Sequence, residues 1–280
     1  MLRAIPDFMN RDSVSRIDAR LRDIMAADRV AIPLAIESGS RAWGFPSPDS
    51  DYDCRFIFVR SPDDYLSLFP KRDVIETPLE GDLDVNGWDV AKAIKLLLKG
   101  NAVVIEWLTS PITYFADEWF RSEFLSLARQ VVVRERVARH YLHLGERQRH
   151  AYFSDDKQVK LKKLFYALRP AAALRWLRQR PREAVAPMHF PTLMSECDPP
   201  AEVRAIVAEL TAKKAITNEL GSDFLPPAVA AFIDSEFDVA RTVFDGDTRD
   251  LPAAASVAAD AFFREVLTRF ETFSRNLTKA

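Results

Sequence analysis

The amino-acid sequence predicts an α+β fold, in which a small mixed β-sheet domain (residues 1–115) precedes an all-helical domain (residues 116–280). Three observations support this prediction. Strand-like apolar segments occur in the first part, at 30–37, 51–60 and 82–88, whereas the later apolar residues recur at helical spacing. Polar and proline-rich breaks separate the helical segments. A chain of 280 residues is also long enough for two domains that each bury a core.

The composition is that of a folded globular protein. Hydrophobic residues make up 48% of the chain and charged residues 29%, which excludes collagen-like, low-complexity and intrinsically disordered classes. The 39 basic and 41 acidic side chains leave a net charge of −2. The chain as a whole therefore lacks the positive excess of a strongly basic nucleic-acid-binding protein, although a basic patch could still be local.

Cysteine usage and hydropathy indicate a soluble intracellular protein. The two cysteines, Cys54 and Cys197, are too few for a disulfide framework or a cysteine-rich zinc site, which favours a reducing compartment. The first residues lack the apolar stretch of a signal peptide, and no apolar run approaches the roughly 18 residues of a membrane span. We therefore expect a cytoplasmic protein that does not enter a membrane.

Local patterns predict the elements of the first part in order. Ser13 is a suitable N-cap for a helix whose apolar residues recur on one face. The strand at 30–37 contains Pro33, which favours a sheet edge or a β-bulge. The connection at 38–50 is rich in turn residues, and a short helix is expected to begin after Ser40.

The later elements follow from the same rules. Residues 82–88 alternate well enough for a third strand, and Asp89 is placed to cap the helix that follows. The segment 157–180 is long, amphipathic and rich in basic and aromatic residues. Pro170 lies inside it and is expected to kink the helix.

The most informative stretch is a Gly-Ser pair followed, after ten residues, by an acid pair on a predicted strand, Gly39-Ser40 and Asp51-Tyr52-Asp53. Because strand side chains alternate, Asp51 and Asp53 project from the same face. Neighbouring carboxylates repel each other and need a metal ion or a shared proton. Their hard oxygen atoms suit Mg²⁺. The Gly-Ser turn can direct backbone N–H groups and a hydroxyl towards a phosphate.

A third carboxylate is expected on a neighbouring strand, and Asp84 is the first candidate, with Asp89 second. Two metal ions held by three acids suit phosphoryl or nucleotidyl transfer, because one activates a hydroxyl and the other holds the triphosphate. Arg41 could neutralise phosphate charge. Structural interpretations also stay open: Asp84 as a turn acid, Asp89 as an N-cap, and Arg41 as the partner of a nearby carboxylate.

Three residues of the basic-aromatic segment, Lys162, Tyr166 and Arg169, share one helical face. Such a face could hold a triphosphate or an RNA backbone, with the tyrosine stacked on a base. The alternative is a solvated face whose tyrosine hydroxyl bonds at the domain junction.

Several ordered blocks together resemble one family: ESGSRAWGFPSPDSDYDCRFIF, GWDVAKAIKLLLKGN, EWLTSPITY and KKLFYALRPAAALRW. They cover most of residues 30–180 and resemble the polymerase-beta-like nucleotidyltransferase superfamily. Within it, the chain is similar to bacterial predicted nucleotidyltransferases named for an RNA-repair pathway. The resemblance implies a polymerase-beta-like palm domain followed by a helical domain that binds nucleotide and acceptor.

The resemblance also implies a reaction. The Gly-Ser turn of the family corresponds to Gly39 and Ser40, its acid pair to Asp51 and Asp53, and its third acid to Asp84. We expect Mg²⁺, or Mn²⁺, at a two-metal site and transfer of a nucleoside monophosphate from an NTP such as ATP, with release of pyrophosphate. An RNA 3′ end, such as that of a tRNA, is the first acceptor hypothesis. The alternatives are a protein or small-molecule hydroxyl, and a non-catalytic module that senses nucleotide or RNA.

Overall fold

A computed structural model describes residues 1–153, 158–217, 222–245, 251 and 253–277. Its centre is a mixed six-stranded sheet with the strand order β1-β6-β2-β3-β5-β4. The strands are β1 (Leu2–Ala4), β2 (Ala31–Glu37), β3 (Tyr52–Val59), β4 (Val74–Glu76), β5 (Leu83–Asp89) and β6 (Thr113–Ala116). The pair β3–β5 is parallel, and the other pairs are antiparallel.

Twelve helices are described around and after this sheet. In chain order they are α1 (Arg11–Asp28), α2 (Gly39–Trp43), α3 (Pro62–Tyr65), α4 (Val90–Leu98), α5 (Ala102–Thr109), α6 (Glu118–Val131), α7 (Arg134–Tyr152), α8 (Leu161–Gln179), α9 (Phe190–Cys197), α10 (Ala201–Ile216), α11 (Pro227–Val243) and α12 (Ala253–Leu277). None of the described helices is both long and apolar enough to cross a membrane.

The two faces of the sheet pack against different layers. On β3, Cys54, Phe56 and Phe58 belong to a buried cluster that includes the apolar face of α1. The alternate residues Ile57 and Val59 belong to a second cluster, which the helices from α4 onwards complete. Because side chains alternate along a strand, the side chain of Asp53 lies on the same face as Ile57 and Val59, opposite the face that packs against α1.

The three predicted strands are confirmed within one or two residues as β2, β3 and β5. Pro33 is tolerated in the sheet interior because the register between β2 and β3 shifts between Ala31 and Leu34, as expected for a β-bulge. The short strands β1, β4 and β6 escaped prediction. The helix α8 continues through Pro170.

One expectation for the later part of the chain is wrong. Residues after 116 are not all helical, because β7 (Gln158–Lys160) and β8 (Ser222–Phe224) form a small antiparallel pair. The predicted boundary at residue 115 falls within β6, which pairs with β2 inside the sheet. Apolar residues from both sides of this boundary also share one buried cluster. The division into 1–115 and 116–280 stays a prediction.

Candidate active site

The Gly-Ser turn forms the first two residues of α2, just after β2, and lies directly against Asp53. Gly39 has a φ of 59°, in the left-handed region that favours glycine. A Cβ atom at this position would lie 1.9 Å from Oδ2 of Asp53. The Ser40 hydroxyl donates a hydrogen bond to Oγ of Ser50 at 2.9 Å. The turn can therefore lie this close to Asp53 only because Gly39 has no side chain.

Parallel pairing of β3 with β5 brings Asp84 beside Asp53, since the two are direct register partners. Asp51 precedes β3 by one residue and is exposed. Asp89 lies five residues beyond Asp84, so it is at the other end of β5 and on the opposite face. There its carboxylate caps α4 through the Ala91 N–H at 2.8 Å.

Arg55 lies between Asp53 and Asp84. Its Nη2 is 3.2 Å from Oδ1 of Asp53 and 2.6 Å from Oδ2 of Asp84. Its Nη1 donates to the backbone carbonyls of Cys54 at 3.0 Å and Asp84 at 2.8 Å. Oδ1 of Asp84 accepts a hydrogen bond from the Asn86 amide. Three charged side chains and the Asn86 amide are thus joined by hydrogen bonds on the face of the sheet opposite α1.

The electrostatics of the cluster favour binding of positive charge. Burial raises the pKa of Asp53, and the neighbouring carboxylates of Asp84 and Asp51 raise it further, whereas Arg55 opposes them. The ionised form of Asp53 is therefore disfavoured in this environment, and an added cation would stabilise it.

A fourth carboxyl, Glu37, supports the cluster from the α1 side of the sheet. It is fully buried, and burial raises its pKa to about 8. Its Oε1 accepts the backbone N–H of Asp53 at 3.0 Å, and its Oε2 accepts the Tyr114 hydroxyl at 2.5 Å. Glu37 thus holds the β3 backbone at the position where the Asp53 side chain projects.

A cavity of about 520 Å³ opens between the acid cluster and the helices α7 and α8. Tyr152 and Tyr166 line it on the helical side, with ring centroids 6.4 Å apart. The pKa of Tyr166 is raised by burial and, to a smaller extent, by Asp53. Asp53 and Tyr166 border the same cavity. Aromatic rings in such a position are suited to stacking on a base.

Arg169 lines the same cavity, but its charge is compensated. Its Nη1 binds Oε1 of Glu106 at 2.5 Å, and both side chains are buried. Its guanidinium also lies 4.1 Å from the centre of the Trp43 ring. The pair links α5 to α8 in a buried position, where an uncompensated charge would be destabilising.

Comparison with known proteins identifies a family. A family profile described as the RNA repair pathway DNA polymerase beta family matches residues 14–265. The chain belongs to this family. It is also 36% identical over 223 residues to the uncharacterized protein YcgL of Bacillus subtilis (strain 168), with 80% of this chain and 85% of that protein covered. The resemblance noted from the sequence blocks is thus confirmed, and the family name points to a polymerase-beta-like nucleotidyltransferase.

In this member of the RNA repair pathway DNA polymerase beta family, most of the predicted site residues meet. Six of them line the cavity: Gly39, Ser40, Asp51, Asp53, Tyr166 and Arg169. Asp84 lies behind Arg55 at the edge of the cluster.

Two predicted residues remain, of which Arg41 lies elsewhere. Arg41 does not line the cavity, because its guanidinium binds the backbone carbonyls of Ser50 and Asp51 and lies 4.0 Å from the centre of the Tyr52 ring. Lys162 lies in the first turn of α8, and its side chain is outside the described part of the structure. Its predicted role stays a prediction.

Several residues of the site were missed by sequence reasoning. Arg55 could have been found, because it lies two residues after Asp53 and so shares its face. The buried Glu37 is the last residue of an otherwise apolar strand, which is a usable signal for a polar role. Lys214 and Tyr152 reach the cavity from distant helices, and no local pattern indicates that they do.

Proposed function

We propose that this family member is a cytoplasmic, magnesium-dependent nucleotidyltransferase that transfers a nucleoside monophosphate from an NTP, such as ATP, to the 3′ hydroxyl of an RNA. In the reaction the acceptor oxygen forms a bond to the α-phosphorus as the bond to the pyrophosphate oxygen breaks. The hydroxyl loses its proton, and pyrophosphate leaves. A tRNA whose 3′ end needs repair is the proposed acceptor.

One observation supports this proposal above the others. The Gly39 turn lies within contact distance of Asp53, and both border a cavity whose far wall is aromatic. A nucleotide needs these three surfaces together: a tight turn beside its phosphates, carboxylates at the reacting phosphorus, and rings beside its base.

The acid cluster fits a magnesium ion in its chemistry. Asp51 and Asp53 offer hard carboxylate oxygens beside the cavity. Burial and the neighbouring carboxylates raise the pKa of Asp53, so a bound cation would stabilise its charged form. Within the described part of the chain, no three acidic, histidine or cysteine side chains are arranged to hold a metal without further ligands. Phosphate oxygens of the nucleotide would complete the coordination.

When bound, magnesium would polarise the phosphate and offset the charge that develops on pyrophosphate. The protein residues have separate tasks in this proposal. Asp51 and Asp53 would hold the ion beside the triphosphate, and Ser40 would lie in the turn that borders the phosphates. Tyr166, opposite the acids, positions the base. Orientation of this kind converts an encounter of two substrates into a step within one complex.

The net charge of the chain favours an acceptor that makes only a few phosphate contacts with the protein. A protein that holds a long duplex would need an excess of basic residues to neutralise phosphates, whereas this chain carries a net charge of −2. The 3′ end of an RNA requires only a few such contacts. The family name, which refers to RNA repair, points in the same direction.

The test is incorporation of label from NTPs into tRNA with intact or trimmed 3′ ends in the presence of Mg²⁺. We expect wild-type protein to label the trimmed RNA and an Asp51→Ala/Asp53→Ala variant not to do so. A Glu202→Ala/Glu209→Ala variant is the control, because it removes two exposed acids on α10. Equal labelling by the wild-type protein and the Asp51/Asp53 variant would exclude catalysis by this site.

Two other results would support a different acceptor or a different function. A nucleotide adduct on a co-expressed protein, dependent on Asp53 and detected by mass spectrometry, would identify a protein hydroxyl as the acceptor. NTP binding that calorimetry finds equally strong with and without a divalent cation, and without turnover, would identify a sensing module. An active transferase requires the opposite, because its acid cluster repels a bare triphosphate.

A further inference from the structure

Arg55 occupies the position between two carboxylates at which a metal-dependent transferase would hold a cation. Its Nη2 alone contacts both Asp53 and Asp84, at 3.2 and 2.6 Å. The other oxygen of Asp84 accepts the Asn86 amide. Both oxygens of the Asp84 carboxylate are therefore already bound by groups of the protein itself.

Two further hydrogen bonds hold the Arg55 guanidinium in this position. Nη1 donates to the carbonyl oxygens of Cys54 and Asp84, at 3.0 and 2.8 Å. The Arg55 side chain is only 20% exposed. A cation that displaced it would break these two hydrogen bonds and would move a partly buried charge, which is costly.

Asp51 stands apart from this arrangement. It is exposed and lines the cavity, on the same face as Asp53 and on the side away from Arg55. The cluster therefore divides into two pairs that share Asp53: Asp53 and Asp84, joined by Arg55, and Asp53 and Asp51. Asp51, Asp53 and Arg55 line the cavity, whereas Asp84 does not.

We propose that Arg55 takes the place of one of two metal ions, so that the cluster binds a single divalent cation through Asp51 and Asp53. The inference rests on the proposed function, which assigns a cation to these acids. Metal pairs in two-metal sites lie about 3.5–4 Å apart. A second ion between Asp53 and Asp84 would meet the positive charge of Arg55 at close range, and the repulsion would exclude it.

The test is the number of Mn²⁺ ions bound, measured by electron paramagnetic resonance during titration with a non-hydrolysable NTP analogue present. Ions at the site are those lost in the Asp51→Ala/Asp53→Ala variant. We expect one such ion in the wild-type protein and two in Arg55→Met, because the second position gains two free carboxylate oxygens. Arg55→Lys keeps the charge and is expected to bind one.

A matched control is available on the surface. Arg16 also lies between two carboxylates, with Nη2 4.0 Å from Glu80 and Nη1 3.5 Å from Asp82. Arg16→Met is therefore expected to bind as many ions as the wild-type protein. Thermal unfolding of each variant, followed by circular dichroism, verifies that the counts refer to folded protein.

Several results would overturn the inference. It is wrong if the folded wild-type protein binds two site ions or none, and this measurement requires no variant of Arg55. It is also wrong if folded Arg55→Met still binds one. Failure of the proposed function gives a different result. One ion in the wild-type protein and two in Arg55→Met, with no transfer to any acceptor, would refute the transferase and retain the role of Arg55.

Discussion

Replacement of Gly39 by alanine tests the contact that joins the turn to the acid cluster. The added Cβ would lie 1.9 Å from Oδ2 of Asp53 and 2.8 Å from its Cγ. Real Cβ contacts essentially never fall under 3.0 Å, so the carboxylate must move by about 1 Å or more. The backbone cannot turn away easily, because Gly39 closes the connection from β2 to α2 at a φ of 59°.

Two separate losses are expected from Gly39→Ala. A residue with a Cβ in the left-handed region costs about 1–2 kcal/mol of unfolding free energy, which urea denaturation measures. A displacement of about 1 Å at a reacting group costs on the order of 100-fold in rate. Nucleotide transfer should therefore fall about 100-fold in a protein that remains folded, and the affinity of the site for Mn²⁺ should weaken as well.

Gly81→Ala separates these two losses. Gly81 has a φ of 64°, close to that of Gly39, but a Cβ there would meet its nearest neighbour, Nη2 of Arg16, at 3.9 Å. The two variants should lose similar backbone stability, and only Gly39→Ala should lose transfer. If both retain the same transfer rate, the contact with Asp53 has no part in the reaction and the reasoning fails.

Three further predictions concern charged groups. Burial raises the pKa of Glu37 from 4.5 to about 8, so the proton favours the folded state at low pH and the unfolding free energy should fall as the pH rises from 4.5 to about 8. Glu37→Gln should flatten this slope in urea denaturation at several pH values, and an unchanged slope would contradict the assignment. Arg169→Met leaves Glu106 buried without its counter-ion, so a loss of about 3–5 kcal/mol is expected, and additional replacement of Glu106 by Gln should restore part of it. A loss below about 1 kcal/mol would show that the pair is not desolvated. Asp84→Asn should lower transfer in a folded protein, whereas Asp89→Ala should keep transfer and lose about 1–2 kcal/mol of stability with the α4 cap. The reverse result would contradict the placement of Asp84 at the site.

The strands that carry the acids were predictable because their signal is local. Alternation along a strand is enough to place Asp51 and Asp53 on one face, and β3 begins at Tyr52, between them. The choice between Asp84 and Asp89 needed the pairing of β5 with β3, which is a long-range property. The strands β1 and β4 are three residues long, too short for a periodic pattern.

The helical wall of the site was less predictable for a different reason. Lys214 comes from α10 and donates to the carbonyl of Phe45, 169 residues earlier in the chain. Glu106 and Arg169 meet across 63 residues. Such contacts result from tertiary packing, so a single sequence identifies the helices and leaves their partners open. Arg55 is the exception, since strand alternation alone places it beside Asp53.

The charge balance of the cavity adds an argument for metal dependence. Sequence reasoning expected Arg41 and Arg169 to bind phosphate. In the structure Arg41 holds loop carbonyls, and Arg169 is paired with Glu106. Arg55 is paired with two acids, so the guanidinium groups of these three arginines already bind groups of the protein. A nucleotide that brings its own divalent cation would resolve this difficulty, because Asp51, Asp53 and the phosphates could all be ligands of the proposed ion.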